Sequence, residues 1–168
     1  VLAIGCHPDD LEIACSGTLR KYVEQGADVY MCHVANGDQG HVIIPPEELG
    51  GIREKEAENA GKLIGAKEVF NLNVSDMQVN RHDQAQIDAV ADVVRYCRPD
   101  VVITHNTEDY MQDHVETSYL ATNGCFAAGL PHRSFNHPAY KSFIPTFFMD
   151  SLAGVNFDPA LYVDITSQ

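Results

Sequence analysis

The turn His7-Pro8-Asp9-Asp10 breaks an apolar opening, and two adjacent carboxylates beside an imidazole are equipped to do chemistry. His7 and Asp10 stand three apart across a proline-fixed turn, so both can face one point. A second cluster comes much later, His105-Asn106-Thr107-Glu108-Asp109 running on to Asp113-His114. His114 can complete a set of two imidazoles and one carboxylate, the usual protein ligands of a catalytic zinc that keeps a position for water. Ferrous iron tolerates the same set. One carboxylate of the pair would then coordinate, and its neighbour would take a proton from water acidified by the cation. Without a metal, Asp9-Asp10 would be an acidic pair complementing the dipole at a helix N-terminus.

Such residues need elements to hold them. Apolar runs predict strands at 1–5, 28–34, 68–72, 101–104, 146–149 and 161–165. Helical spacing predicts helices at 16–25, 51–64, 84–97 and 115–128, with Gly26, Gly65 and Pro99 as stops. The alternation implies an α/β fold, a doubly wound, mostly parallel (Rossmann-like) sheet with helices on both faces. In an open parallel sheet, ligands bind outside the carboxyl ends of the strands. The polar letters collect there: His7 to Asp10, Ala35 to His41, Ser75-Asp76, and His105 to Asp109. A dinucleotide would need a G-x-G-x-x-G turn after the first strand, and the two aspartates standing there would repel a pyrophosphate.

Composition narrows the partners. The 168 residues suit one domain, and hydrophobic residues make up 45% against 21% charged. A formal charge of −13 argues against nucleic acid or an anionic membrane, and no apolar run reaches the length of a membrane span. Cys6, Cys15, Cys32, Cys97 and Cys125 form an odd, scattered set without a C-x-x-C pair, read as reduced core thiols of a cytoplasmic protein. The chain halts just after its last predicted strand, so the expectation is a single domain, 1–168, lacking part of its C-terminal region. Whether it forms a homo-oligomer is left open.

The motifs resemble the LmbE-like (PIG-L-like) family of zinc-dependent N-acetylglucosaminyl deacetylases. Gly5-Cys6-His7-Pro8-Asp9-Asp10-Leu11-Glu12 with Gly17-Thr18-Leu19 resembles its A-H-P-D-D-x-E…G-T-L opening. Asn36-Gly37-Asp38-Gln39-Gly40, Arg53 to Gly65, Pro99 to His105 with Asp113-His114, and Phe157 to Thr166 come in family order. The resemblance implies zinc on His7, Asp10 and His114, Asp9 as general base, and a small acetamido-sugar substrate losing its acetyl group. It places Arg53 at a position associated with the substrate's polar groups, although Arg53 could equally pair with Glu54 or Glu56 on its own helix. Asp38 either contacts substrate or orders its loop, and His105 completes the substrate-facing set.

One departure bears on activity. Where the family commonly has H-P-D-H, this chain reads Met111-Gln112-Asp113-His114, and a thioether donates no proton. Asp113, kept as a catalytic-site residue, loses the histidine it would orient, and the expectation is that it supports His114 instead. Three outcomes are open. His41, His82, His132, Arg133 or His137 takes over the role; or Asp9 returns the proton it has taken; or the protein binds metal and sugar but turns over poorly.

Overall fold

The computed structural model of the chain describes residues 1–133 and 135–168. Its elements run β1 (Leu2–Gly5), α1 (Asp10–Glu24), β2 (Tyr30–Ala35), α2 (Pro46–Ile64), β3 (Glu68–Val74), α3 (Gln84–Cys97), β4 (Val102–His105), α4 (Gln112–Ala128) and β5 (Thr146–Met149). The five strands form one sheet in the order β3-β2-β1-β4-β5, with every pairing parallel. The order reverses direction at β1, so the crevice beside its carboxyl end is the natural ligand site of such a sheet.

Alternation along the strands builds two cores. Leu2 and Ile4 point to one face and pack with Val90 and Val94 of α3 and Leu120 of α4. Ala3 and Met31 point to the other, toward Leu11 and Leu19 of α1 and Ile64 of α2. Glycines set how closely several elements pack, as Gly5 and Gly124 illustrate. A Cβ on Gly5 would sit 2.7 Å from Leu11 Cγ, so only glycine lets α1 fold straight back onto the end of β1. A Cβ on Gly124 would meet Val90 Cγ1 at 2.4 Å, which fixes how near α4 approaches α3.

Three helices begin earlier than their apolar periodicity suggests. α1 starts at Asp10, where Glu12 Oε2 accepts the Asp9 N–H in a capping arrangement. α2 starts at Pro46, a residue suited to the first helical turn. α4 starts at Gln112, so Asp113 and His114 ride on its first turn. The strand expected at 161–165 does not form. Ile165 instead lies over Gly17 of α1, and Lys21 Nζ donates to the Asp164 carbonyl at 2.6 Å, so side-chain contacts to α1 replace a strand ladder.

Beyond α4 the chain is held by Arg95, which is buried on α3. Its guanidinium donates to the carbonyls of Ala128, Leu130 and His137 at 2.7–3.0 Å and lies 4.1 Å from the Phe135 ring centroid. All five cysteines are unpaired. Burial pushes the Cys6 thiol up to about 11 and those of Cys15, Cys97 and Cys125 up to about 12. Among the described residues, no helix is long and apolar enough to cross a membrane.

Candidate active site

The ends of β1 and β4 and the first turns of α1 and α4 meet around one carboxylate. Asp10 Oδ2 accepts the backbone N–H of His7 at 2.7 Å and lies 3.4 Å from His7 Nδ1 and 3.2 Å from His105 Nε2. Asp10 Oδ1 lies 3.2 Å from His114 Nε2. The His105 and His114 rings stack with centroids 4.1 Å apart, and those of His7 and His114 are 5.4 Å apart. Turns separated by most of the chain thus bring His7, Asp10 and His114 together.

Hydrogen bonds decide which lone pairs are free. The Cys6 N–H donates to His105 Nε2 at 3.0 Å and uses that nitrogen's single lone pair. Burial lowers the pKa of His105, which keeps it neutral. His114 Nδ1 faces Asp109 Oδ1 at 3.3 Å, whereas its Nε2 is buried and makes no hydrogen bond. A proton on Nδ1 held by Asp109 leaves the Nε2 lone pair directed at the centre, the second carboxylate of a carboxylate–histidine–metal arrangement.

Electrostatics ask for a cation at the same spot. Burial alone would raise the Asp10 carboxyl, but the rings of His105, His114 and His7 packed around it hold it far below the carboxylate range. Burial alone would lower His7, but hydrogen bonding to Asp10 and Cys6 raises it to about 11. Asp76 and Asp113 stand 3.8 and 3.4 Å from His7 Nε2 and add to the negative field. Two groups offer ligand atoms within 4.8 Å of one another: Asp10, His105 and His114, and Cys6, His7 and Asp10. Asp10 is common to both groups, whereas His7 and His114 fall in different ones; the lone pair of His105 is engaged by the Cys6 N–H, and burial raises the Cys6 thiol. Nitrogen and oxygen donors around an unpartnered imidazole fit a divalent metal ion.

Above this centre opens a cleft of about 790 Å³, lined by Asp9, Arg53, His41, Tyr110 and Met111 together with the central residues. The Asp9 carboxylate is half exposed and pairs with Arg53 Nη2 at 2.6 Å. Partial burial raises the Asp9 carboxyl, and Arg53 opposes that rise. Arg53 also donates to Glu56 at 2.8 Å on its own helix, and it lines the cleft.

Three other site candidates lie away from the cleft wall or hold a different neighbour. Asp38 accepts Ser75 Oγ–H at 2.8 Å and the Asp76 N–H at 3.0 Å, which ties its loop to the one after β3 and keeps it off the cleft wall. His105 is buried beneath Asp10 and does not line the cleft. Asp113 accepts the Met77 N–H at 2.7 Å and lies beside His7, so it supports that ring and leaves His114 to Asp109. Sequence reasoning misses the role of Asp109, whose only signal there is a carboxylate shortly before His114. Of the remote candidates for the absent motif histidine, only His41 lines the cleft; Arg133 pairs with Asp88, and His137 with Asp92.

Known proteins share both the sequence and the shape. The chain is 29% identical over 132 residues to an uncharacterized deacetylase, YaiS, of Escherichia coli, covering 74% of this chain and 67% of that protein. It is 27% identical over 175 residues to the diacetylchitobiose deacetylase of Thermococcus kodakarensis, covering 99% of this chain and 63% of that one. The solved N,N'-diacetylchitobiose deacetylase of Pyrococcus horikoshii, complexed with its inhibitor MPG, superposes with a TM-score of 0.85 at 27% identity, over 98% of this chain and 63% of that one. A 4-carboxy-2-hydroxymuconate hydratase from Pseudomonas putida shares the fold, with a TM-score of 0.88 at 21% identity over 99% of this chain and 72% of that one. The chain therefore spans a little under two thirds of the length of both chitobiose deacetylases. Residues 2–125 match the model of one family along most of the described sheet, and the chain belongs to that family, PIG-L, described as GlcNAc-PI de-N-acetylase.

Proposed function

We propose that this chain is a zinc-dependent hydrolase that removes the acetyl group from an N-acetylated amino sugar or sugar conjugate. The observation that carries the reading is the unpartnered Nε2 of His114 facing Asp10 and the His7 turn, beside the separate carboxylate of Asp9 on the cleft wall. His7, Asp10 and His114 would hold the metal, zinc being favoured over ferrous iron by this donor set. When bound, zinc lends the site Lewis acidity, polarising a carbonyl and acidifying water.

The chain's own residues do the rest. Asp109 holds His114, and Asp113 and Asp76 hold His7, so the ligand rings are oriented before substrate arrives. Asp9 takes the proton of the attacking water as oxygen adds to the acetamide carbonyl. The C–N bond then breaks, and Asp9 returns the proton to the leaving amine, giving acetate and a free amino sugar. Met111 lines the cleft without a proton to give, and in this reading Asp9 makes both transfers. Arg53 fixes the Asp9 carboxylate and presents its remaining N–H groups to polar groups of the substrate. The five unpaired thiols suit a reducing, cytoplasmic setting.

Acetate release from N-acetylglucosamine and its conjugates by zinc-loaded protein tests the proposal. Asp9→Asn is expected to lower kcat by about 10²–10⁴-fold with zinc content unchanged. A wild-type rate in Asp9→Asn would remove Asp9 as the base.

A further inference from the structure

The least satisfied buried side chain in the fold lies beneath the turn that carries Asp9. Among the described residues, His33 on β2 has 0% exposure, and neither of its ring nitrogens has a hydrogen-bond partner. Across the ladder it faces Gly5 on β1 and Asn71 on β3, whose Oδ1 is also buried and unpartnered. Glu12 on α1 is a charged neighbour, with His33 Nε2 lying 3.6 Å from Glu12 Oε2, outside hydrogen-bond distance. The surrounding face is apolar, built by Met31, Leu11 and Leu19. An aliphatic side chain would fill that place without burying an unsatisfied imidazole, so packing alone does not account for a histidine there.

Glu12 reaches the other way as well. The same Oε2 accepts the Asp9 N–H at 3.1 Å. Asp9 has φ 108° and ψ −26°, a left-handed backbone that residues with a Cβ rarely adopt. Strain of this kind persists only where the surroundings enforce it. Two contacts do so here: Glu12 on the Asp9 amide, and Arg53 on the Asp9 carboxylate and the Pro8 carbonyl.

We infer that His33 is a positioning residue for Asp9: facing Glu12 from below, it keeps that carboxylate under the Asp9 amide and so holds the strained turn that aims Asp9 into the cleft. This rests on the reading of Asp9 as the base. His33 itself touches no substrate, and its cost to the core is the kind that active sites accept in exchange for function.

The test uses zinc-loaded, full-length chain with His33→Val, His33→Gln and Glu12→Ala. Three readouts are needed: hydrogen exchange of the Asp9 amide, the melting temperature, and kcat with KM for acetate release from N-acetylglucosamine. In His33→Val the Asp9 amide is expected to exchange about tenfold faster while the protein melts at or above the wild-type temperature. Its kcat falls by about 10–10²-fold, with KM held within about twofold. His33→Gln, which places a polar amide beside Glu12, recovers both, and Glu12→Ala shows the same exchange change as His33→Val. A lower melting temperature with wild-type exchange and kcat makes His33 a packing residue and overturns the inference. If His33→Val does not fold, Glu12→Ala decides, because a wild-type Asp9 amide there breaks the chain of contacts. Absence of acetate release from wild type would refute the base assignment, and the exchange rates would still show whether His33 holds Asp9.

Discussion

Asp10 and Arg95 are both charged side chains kept from solvent, and the molecule satisfies them in opposite ways. Arg95 is surrounded by main-chain carbonyls and an aromatic face, dipoles that neither titrate nor leave. Asp10 is surrounded by three imidazoles, and the Nε2 of one of them, His114, is buried without a hydrogen-bond partner. A charge solvated by fixed dipoles fastens structure, here the segment after α4. A charge beside unpartnered imidazole nitrogen has the donors that a cation would use. The difference lies in the partners, and burial by itself does not reveal it.

The contrast can be broken at either pole. Asp10→Asn is expected to have the largest effect, lowering zinc affinity by more than the roughly 10–10²-fold that outer partners supply. Equilibrium dialysis with zinc checks it, and full zinc retention would show that the imidazoles serve only to neutralise the carboxylate. Arg95→Leu leaves several carbonyls without donors and is expected to cost about 3–5 kcal/mol of stability in urea unfolding. Zinc affinity of the folded fraction should stay unchanged; a loss would mean that the two charges are coupled.

Asp109→Asn sharpens the picture of the ligand shell. Zinc affinity should fall by about 10–10²-fold through His114, with little change in stability. An ordinary ion pair supplies the smallest effect. Hydrogen bonding to Arg81 holds the Glu116 carboxyl down at about 2. Because the folded pKa is depressed, the pair's contribution is present above the unfolded carboxyl value near 4.5 and is lost as pH falls toward 2. Glu116→Gln should remove about 1 kcal/mol at pH 6 and nothing at pH 2, read by urea unfolding at both.

Much of this is legible in the sequence, because strand alternation and the order of motifs are local properties. The rim can be assembled from the polar residues that end each strand, and His7, Asp10 and His114 fall together once the sheet is parallel. Helix starts read late because their first turns carry the site letters, and Asp9-Asp10 or Asp113-His114 look like loop until a cap is seen. The expected strand at 161–165 has apolar composition but is held to α1 by Ile165 and the Asp164 carbonyl, which no periodicity reveals. Partner choice is the least visible. Both Asp109 and Asp113 precede His114, and only the helical turn decides that the first supports His114 and the second His7.

The thiols carry a consequence for how the protein meets metals in a cell. Each of the five cysteines is unpaired, and burial raises every one of their thiol pKa values. Thiolates are the usual scavengers of copper(I) and cadmium, and also the first groups that peroxide attacks. Burial that keeps these thiols protonated makes them poor ligands for soft ions and slow targets for peroxide, which favours the nitrogen and oxygen donors of the cleft as the place where a metal would exchange.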